Sequence, residues 1–374
     1  MALLENFGQP AIRHQLDTLL SQDRLPHAIL FYGEPGSGIL PAAISLANDI
    51  LCASPVHGKA CHQCPACHRA GKFIHPDMHF LLPLAGSKSL STDYYPQWRE
   101  AITTNPWLNV FQWTQFCDVE GKQVDIHKED IQQVTSHLAL QAYEGRNKIL
   151  IIWMAQYLER EGNRLLKMIE EPPEQTYFIL ITHQREKILP TIRSRCMQLF
   201  IPPMEEDQIT RLLSTDYHLE PDKAALIAKQ SVQDMGRALA VAQNTVMNFK
   251  DELASWFRAM IGRKGHEIAA WSIKMGSQEK EEQKQFALYT ISFIRHILWA
   301  HSGKDHSEHS VEGTEMIQYL NQHYSPETWH KVIQGLQSGF EKISRNANTK
   351  LLWLFLSLSV RNQLMAYRLQ HINS

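Results

Sequence analysis

The chain has 374 residues, 44% of them hydrophobic and 20% charged, the balance of a packed protein of two or three domains rather than a disordered or fibrous one. A formal net charge of −2 excludes a whole-chain electrostatic footprint for nucleic acid and leaves room only for a local basic face. The chain contains no apolar run of the roughly 18 residues that a membrane span requires. The start, Met1-Ala2-Leu3-Leu4-Glu5-Asn6, lacks the basic region of a secretory signal, so a cytoplasmic location is expected.

In chain order, Ile12, Leu16, Leu19 and Leu20 fall at helical spacing. Arg24-Leu25-Pro26-His27-Ala28 then turns into a strand-like run, Ala28 to Tyr32. The next stretch, Gly33-Glu34-Pro35-Gly36-Ser37-Gly38-Ile39-Leu40, has the glycine frame of a phosphate-binding loop, and a helix-like run from Pro41 to Leu51 follows. A working loop ends in Lys and Ser or Thr, which reach the phosphates and Mg²⁺. Ile39 and Leu40 stand there instead. Gly33, Gly36, Ser37 and Gly38 could still offer backbone N–H groups to an anion at a helix N-terminus. Hydrolysis is not expected.

Cys52, Cys61, Cys64 and Cys67 follow, four of the six cysteines in the chain. Two overlapping Cys-x2-Cys steps with a fourth Cys nearby supply the four thiolates of a tetrahedral Zn²⁺ site, and four protein ligands leave no open position for chemistry. A structural zinc module over residues 52–67 is therefore expected, with an iron–sulfur cluster or free thiols as the alternatives.

Met78 to Leu82 reads as a second strand. Residues 85–122 then carry Tyr94, Tyr95, Trp98, Trp107, Phe111, Trp113 and Phe116 with few basic residues (Lys88, Arg99, Lys122). Such aromatics could stack on bases, but an insertion packed on its own domain is favoured, since aromatics mostly serve burial. Asp125 to Tyr143 has a helical apolar face of Ile126, Ile131, Val134, Leu138 and Leu140. Ile149 to Met154 is the continuous apolar run of a central parallel strand. An active ATPase carries acidic residues at the end of this strand for Mg²⁺ and water; Trp153 and Met154 occupy those places. Asn163 to Glu171 reads as a helix stopped by Pro172 and Pro173. Strands at Thr176 to Thr182 and Met197 to Ile201 flank Leu189-Pro190-Thr191-Ile192-Arg193-Ser194-Arg195-Cys196.

Arg24 to Ala28 before the glycine loop, the four-Cys spacing, Asn163 to Pro173 and Ser194-Arg195-Cys196 occur together, in this order, in bacterial clamp-loader subunits of the AAA+ class, and the first 240 or so residues, less the aromatic insertion, resemble that family. Of its subunit types, the gamma/tau motor has intact nucleotide motifs, and the delta-prime type has degenerate ones while keeping Ser-Arg-Cys. Ile39, Leu40, Trp153 and Met154 align this chain with the delta-prime type, as does Gly236, which falls where the motor carries a sensor arginine.

The resemblance implies a RecA-like α/β domain with a five-stranded parallel sheet over residues 1–203, a helical lid over 204–248 and an all-α collar over 249–374. In the collar, one helical face comprises Trp256, Phe257, Met260 and Ile261, and a second comprises Leu351, Leu352, Leu354, Phe355 and Leu358. His301 to His309 reads as a polar loop. The resemblance further implies a subunit that does not hydrolyse ATP. Its partners would be the motor and delta subunits and, through the complex, a sliding clamp and primed DNA. Arg195, set between Ser194 and Cys196, would be a finger reaching a neighbour's nucleotide.

Two other readings remain open at this stage. A gamma/tau-like ATPase with an unusual loop would show Mg²⁺-dependent turnover, and a zinc-containing single-strand binder would show salt-steep affinity.

Overall fold

The computed structural model describes residues 9–86, 89–119, 124–144, 147–231, 233–242, 249–262, 265–278, 280–301, 319–320, 322–344 and 348–372. The chain forms two compact units, Met1–Asn244 and Thr245–Ser374.

In the first unit, α1 (Pro10–Ser21) precedes β1 (Ala28–Gly33), α2 (Ile39–Leu51) and α3 (Pro65–Ala70). Then come β2 (Met78–Leu81), α4 (Tyr95–Thr104), α5 (Val110–Phe116) and α6 (Lys128–Leu138). β3 (Lys148–Ile152), α7 (Leu166–Glu170), β4 (Thr176–Thr182), α8 (Pro190–Arg193) and β5 (Met197–Ile201) complete the sheet region. The strands form one sheet in the order β2-β3-β4-β1-β5, parallel throughout, with Ile29 opposite Ile179 and Leu30 opposite Gln198.

A parallel sheet must be covered on both faces, and the alternation along the inner strands β3, β4 and β1 meets that need, whereas β5 at the edge leaves Gln198 and Phe200 exposed. Ile29, Phe31, Ile149, Ile151, Ile179 and Ile181 join the core shared with α1 and α2. Ala28, Leu30, Leu150, Ile152, Phe178 and Leu180 face the opposite core, built with α6, α7 and α8. This is the five-stranded parallel α/β arrangement expected from the sequence. In the stretch expected to form a lid follow α9 (Glu206–Thr215), α10 (Pro221–Ser231) and α11 (Met235–Ala242), with their own core of Met204, Ile209, Leu213, Ala228, Met235 and Leu239.

Four local expectations change. The helix after the loop starts at Ile39, not Pro41. The helix expected over Asp125 to Tyr143 is only α6, and Leu140 and Tyr143 lie exposed beyond it. The helix expected from Asn163 shortens to α7, because Ala155–Leu165 is a 3₁₀ run kinked at Glu159, whose φ of 43° breaks the helical path. The insertion, read only as aromatic-rich, contains α4 and α5.

Among its described residues the second unit is all helical: α12 (Lys250–Ile261), α13 (Gly265–Met275), α14 (Lys280–His301), α15 (Pro326–Ser344) and α16 (Thr349–Ile372). Trp256, Trp271, Phe286, Trp329 and Trp353 centre its core. Two indoles there find partners, Trp256 Nε1 donating to Ser357 Oγ and Trp353 Nε1 to Gln283 Oε1, each at 2.8 Å. The apolar face read on α16 splits: Leu352 is buried, whereas Leu351, Phe355 and Leu358 are exposed. Beyond His301, the polar run to His309 lies outside the described residues.

Candidate functional site

The loop between β1 and α2 sits at the carboxyl end of the sheet beside the point where β1 is flanked by β4 and β5, the place where ligands bind in open α/β sheets. Its backbone keeps the required turn. Gly36 and Gly38 have φ of +76° and +90°, a conformation that side chains strongly disfavour. A Cβ at Gly33 would come within 2.3 Å of the Ile201 carbonyl oxygen. Gln9 Nε2 ties the loop down from outside, donating to the Ser37 and Pro202 carbonyls.

What the side chains do is different. Gly38 caps α2, so Ile39 and Leu40 form its first turn and are buried in the sheet core. Trp153 and Met154, just past β3, enter the same core. Trp153 packs on Trp98 of α4 at 4.8 Å between ring centroids and edge-on to Trp113 of α5 at 6.3 Å. Trp98 and Trp113 meet edge-to-face at 5.2 Å, and Trp113 Nε1 donates to the Pro83 carbonyl at 2.8 Å. The positions that would hold a phosphate cation and a metal in a working site are thus apolar core, and the insertion supplies the aromatic half of it. Because its tryptophans are buried, they offer no platform for bases.

The segment expected to be the lid packs against the loop. Met235 N donates to the Gly36 carbonyl at 3.3 Å, and the Asp234 carboxylate lies where a Cβ on Gly36 would point. Burial pushes the Asp234 carboxyl pKa up. His183, just past β4, donates from Nδ1 to the Gly33 carbonyl at 3.0 Å, and burial holds its pKa below the ordinary histidine range. Sequence reading missed Asp234 and His183. Asp234 did carry a signal, an acidic residue just ahead of a helix, and its Oδ1 accepts from Arg237 N at 3.0 Å.

The four cysteines converge. Cys52, Cys61, Cys64 and Cys67 place their Sγ atoms within 4.8 Å of one another, with the Cys52–Cys64 and Cys61–Cys67 pairs at 4.0 Å. Thiolates at ~2.3 Å from a tetrahedral Zn²⁺ stand about 3.8 Å apart, so the donor set fits that ion. Backbone N–H groups of Cys61, Cys64 and Cys67 point at the sulfurs of Cys52, Cys61 and Cys64, as anionic thiolates require. Burial alone would raise the Cys64 pKa, yet N–H donors from Cys67 and Ala53 bring it down to about 6. Asp49 anchors the module to α2, its Oδ1 accepting from Ala60 N at 2.8 Å.

Arg195 lies between α8 and β5. Its guanidinium pairs with the Glu170 carboxylate and donates to the Thr191 carbonyl at 2.9 Å, and the side chain remains 37% exposed. Ser194 Oγ donates to the same carbonyl. Cys196 turns inward, and burial pushes its thiol up to about 12, so it serves as apolar filler.

A family profile described as "DNA polymerase III, delta subunit" matches residues 8–205, more than half of the chain. The chain belongs to that family. Subunit delta' of DNA polymerase III from Bacillus subtilis (strain 168) is 28% identical over 263 residues, covering 69% of this chain and 67% of that protein. Subunit delta' from Escherichia coli (strain K12) is 28% identical over 218 residues, 58% of this chain and 54% of the relative. The gamma/tau subunit of Mycoplasma pneumoniae (strain ATCC 29342 / M129 / Subtype 1) is 26% identical over 211 residues, 56% of this chain and 25% of its own length. The match thus spans about two thirds of the first relative and about half of the second. Among the described residues, no helix is long and apolar enough to cross a membrane.

Proposed function

We propose that this chain is a delta-prime-type subunit of a DNA polymerase III clamp loader. It does not hydrolyse ATP, and it lends Arg195 to the nucleotide of an adjacent motor subunit. The observation that carries this reading is a contrast within one domain. Ile39, Leu40, Trp153 and Met154 fill the places of cation and metal ligands with buried apolar side chains, while Arg195 stays on an accessible edge. A chain that does not hydrolyse ATP has use for a trans-acting arginine only where a neighbour does. Its pair with Glu170 is half exposed and of the kind worth only about 0–1 kcal/mol, so the guanidinium exchanges it readily for a phosphate. A planar, permanently charged group there stabilises the transferring phosphoryl, an effect of ~10³–10⁵ in comparable NTPases.

In this reading residues 1–203 form the RecA-like domain, 204–248 the lid and 249–374 a collar that holds the gamma/tau and delta partners. The exposed row Leu351, Phe355 and Leu358 on α16, and exposed Ile273 on α13, support a collar that buries apolar surface on assembly. The four cysteines hold a structural Zn²⁺, and through the complex the subunit serves a sliding clamp and primed DNA.

The test is to reconstitute the complex with wild-type and Arg195→Ala chains. DNA-stimulated ATP turnover per assembled complex should fall at least about tenfold with assembly intact. Equal turnover and equal clamp loading would make Arg195 structural and reduce the role to scaffolding.

A further inference from the structure

The insertion touches both halves of the first unit with different tryptophans. Trp98 and Trp113 enter the core beneath the loop, alongside Trp153. Trp107, in the turn between α4 and α5, enters the core of the lid, with Met204, Ile209, Leu213, Met235 and Leu239. Asn105 fixes that turn, its Oδ1 accepting from Trp107 N at 2.9 Å. On the lid side, a Cβ at Gly236 would come within 2.8 Å of the Trp107 carbonyl oxygen, a backbone atom that cannot swing aside. The position where the sequence alignment expected an arginine thus carries no side chain, because the insertion's backbone lies against it. Two residues earlier, Asp234 lies against Gly36, and between them Met235 N donates to the Gly36 carbonyl.

We propose that residues 89–119 form an internal clasp joining the lid to the sheet core across the degenerate loop, so that the lid keeps one position whether or not nucleotide is present. This rests on reading the loop as a spent nucleotide site. In a site of this architecture a bound nucleotide would touch loop, strand end and lid together and could couple their positions. Here protein side chains make those connections permanently. Trp107 supplies the grip on the lid, and Gly236 allows the close approach. The Asp234 side chain fills the space beside Gly36 that a phosphate would have to enter. A lid locked in this way would give neighbouring subunits a fixed surface through every turnover cycle.

Hydrogen exchange on the full-length chain tests this, with no ligand, with ATP and Mg²⁺, with ADP, and with inorganic phosphate. The wild-type lid, residues 206–242, should exchange identically in all four. Trp107→Ala should speed lid exchange about tenfold or more while β3 and β4 stay protected, since a local opening becomes easier without global unfolding. Gly236→Ala is the sharper variant. Alanine is the better helix former, so an ordinary helix position would tighten, whereas the clasp requires the lid to loosen. Nucleotide-dependent protection of the wild-type lid would overturn the proposal, as would lid exchange at the wild-type rate in Gly236→Ala. ATP turnover measured on the same wild-type sample separates the two levels. Turnover would remove the reading of the loop as spent and leave the clasp to be judged on Trp107→Ala and Gly236→Ala alone.

Discussion

Restoring an acidic residue at the end of β3 should break the domain rather than revive a catalyst. Trp153 is 1% exposed and packs on two other tryptophans. Trp153→Asn removes that packing and leaves a cavity, a loss of about 3–5 kcal/mol for a large aromatic truncated in a core. Trp153→Asp adds a carboxylate to the same apolar place. Keeping it neutral at pH 7 costs about 4 kcal/mol more, since each of the roughly three units above the ordinary aspartate pKa is worth about 1.4 kcal/mol. The aspartate variant then loses about 7–9 kcal/mol, comparable with the whole stability of a typical domain, about 5–15 kcal/mol.

The gap between the two variants has a definite pH sign. The introduced carboxylate has a folded-state pKa raised above its unfolded value. The pair should therefore be matched below about pH 4 and diverge as pH rises. Urea unfolding monitored through exchange of β3 and β4 amides measures both variants, with ATP turnover assayed in parallel. If Trp153→Asp stays within about 1 kcal/mol of wild type, or gains Mg²⁺-dependent hydrolysis, the claim that this site has become hydrophobic core is wrong.

Purified chain should contain one Zn²⁺, and Cys64→Ser should lower folding yield, because structural zinc contributes folding free energy; metal analysis that finds none, or finds iron with sulfide, contradicts the tetrathiolate assignment. The isolated chain should hydrolyse ATP no faster than background; steady turnover that co-elutes with it and disappears in Gly38→Ala would restore the motor reading. Burial pushes the Asp130 carboxyl, which accepts from Ser91 N and Oγ, up to about 6 from 3.8. That raised pKa means the buried carboxyl's contribution is fully present below pH ~4 and is lost as pH rises through about 6 and the charge must be buried, a difference on the order of 3 kcal/mol. Asp130→Asn should flatten the pH dependence of insertion exchange in that window, and an unchanged profile would show that Asp130 does not govern it.

The local signals in this sequence were sufficient for local structure. The strand runs at Ala28, Ile149, Thr176 and Met197 and the glycine frame of the loop stand where the sequence places them, because parallel strands buried on both faces must be continuously apolar and because only glycine adopts the φ of Gly36 and Gly38 without strain. The spacing of the four cysteines likewise announced their convergence, since metal sites in short segments are set by chain geometry. The loss of Lys and acidic residues was also legible, but only as an absence. What replaced them was decided by contacts between residues far apart in sequence. Trp153 is explained by Trp98 and Trp113, Gly236 by the carbonyl of Trp107, and the neighbourhood of Gly36 by Asp234 nearly two hundred positions later. The face of α16 makes the same point. Helical periodicity marks Leu351, Leu352, Leu354, Phe355 and Leu358 as apolar, yet only packing against the other helices decides that Leu352 is buried and Leu351, Phe355 and Leu358 are not. Periodicity reports the geometry of one element, whereas burial belongs to pairs of elements and is fixed only when the chain brings them together.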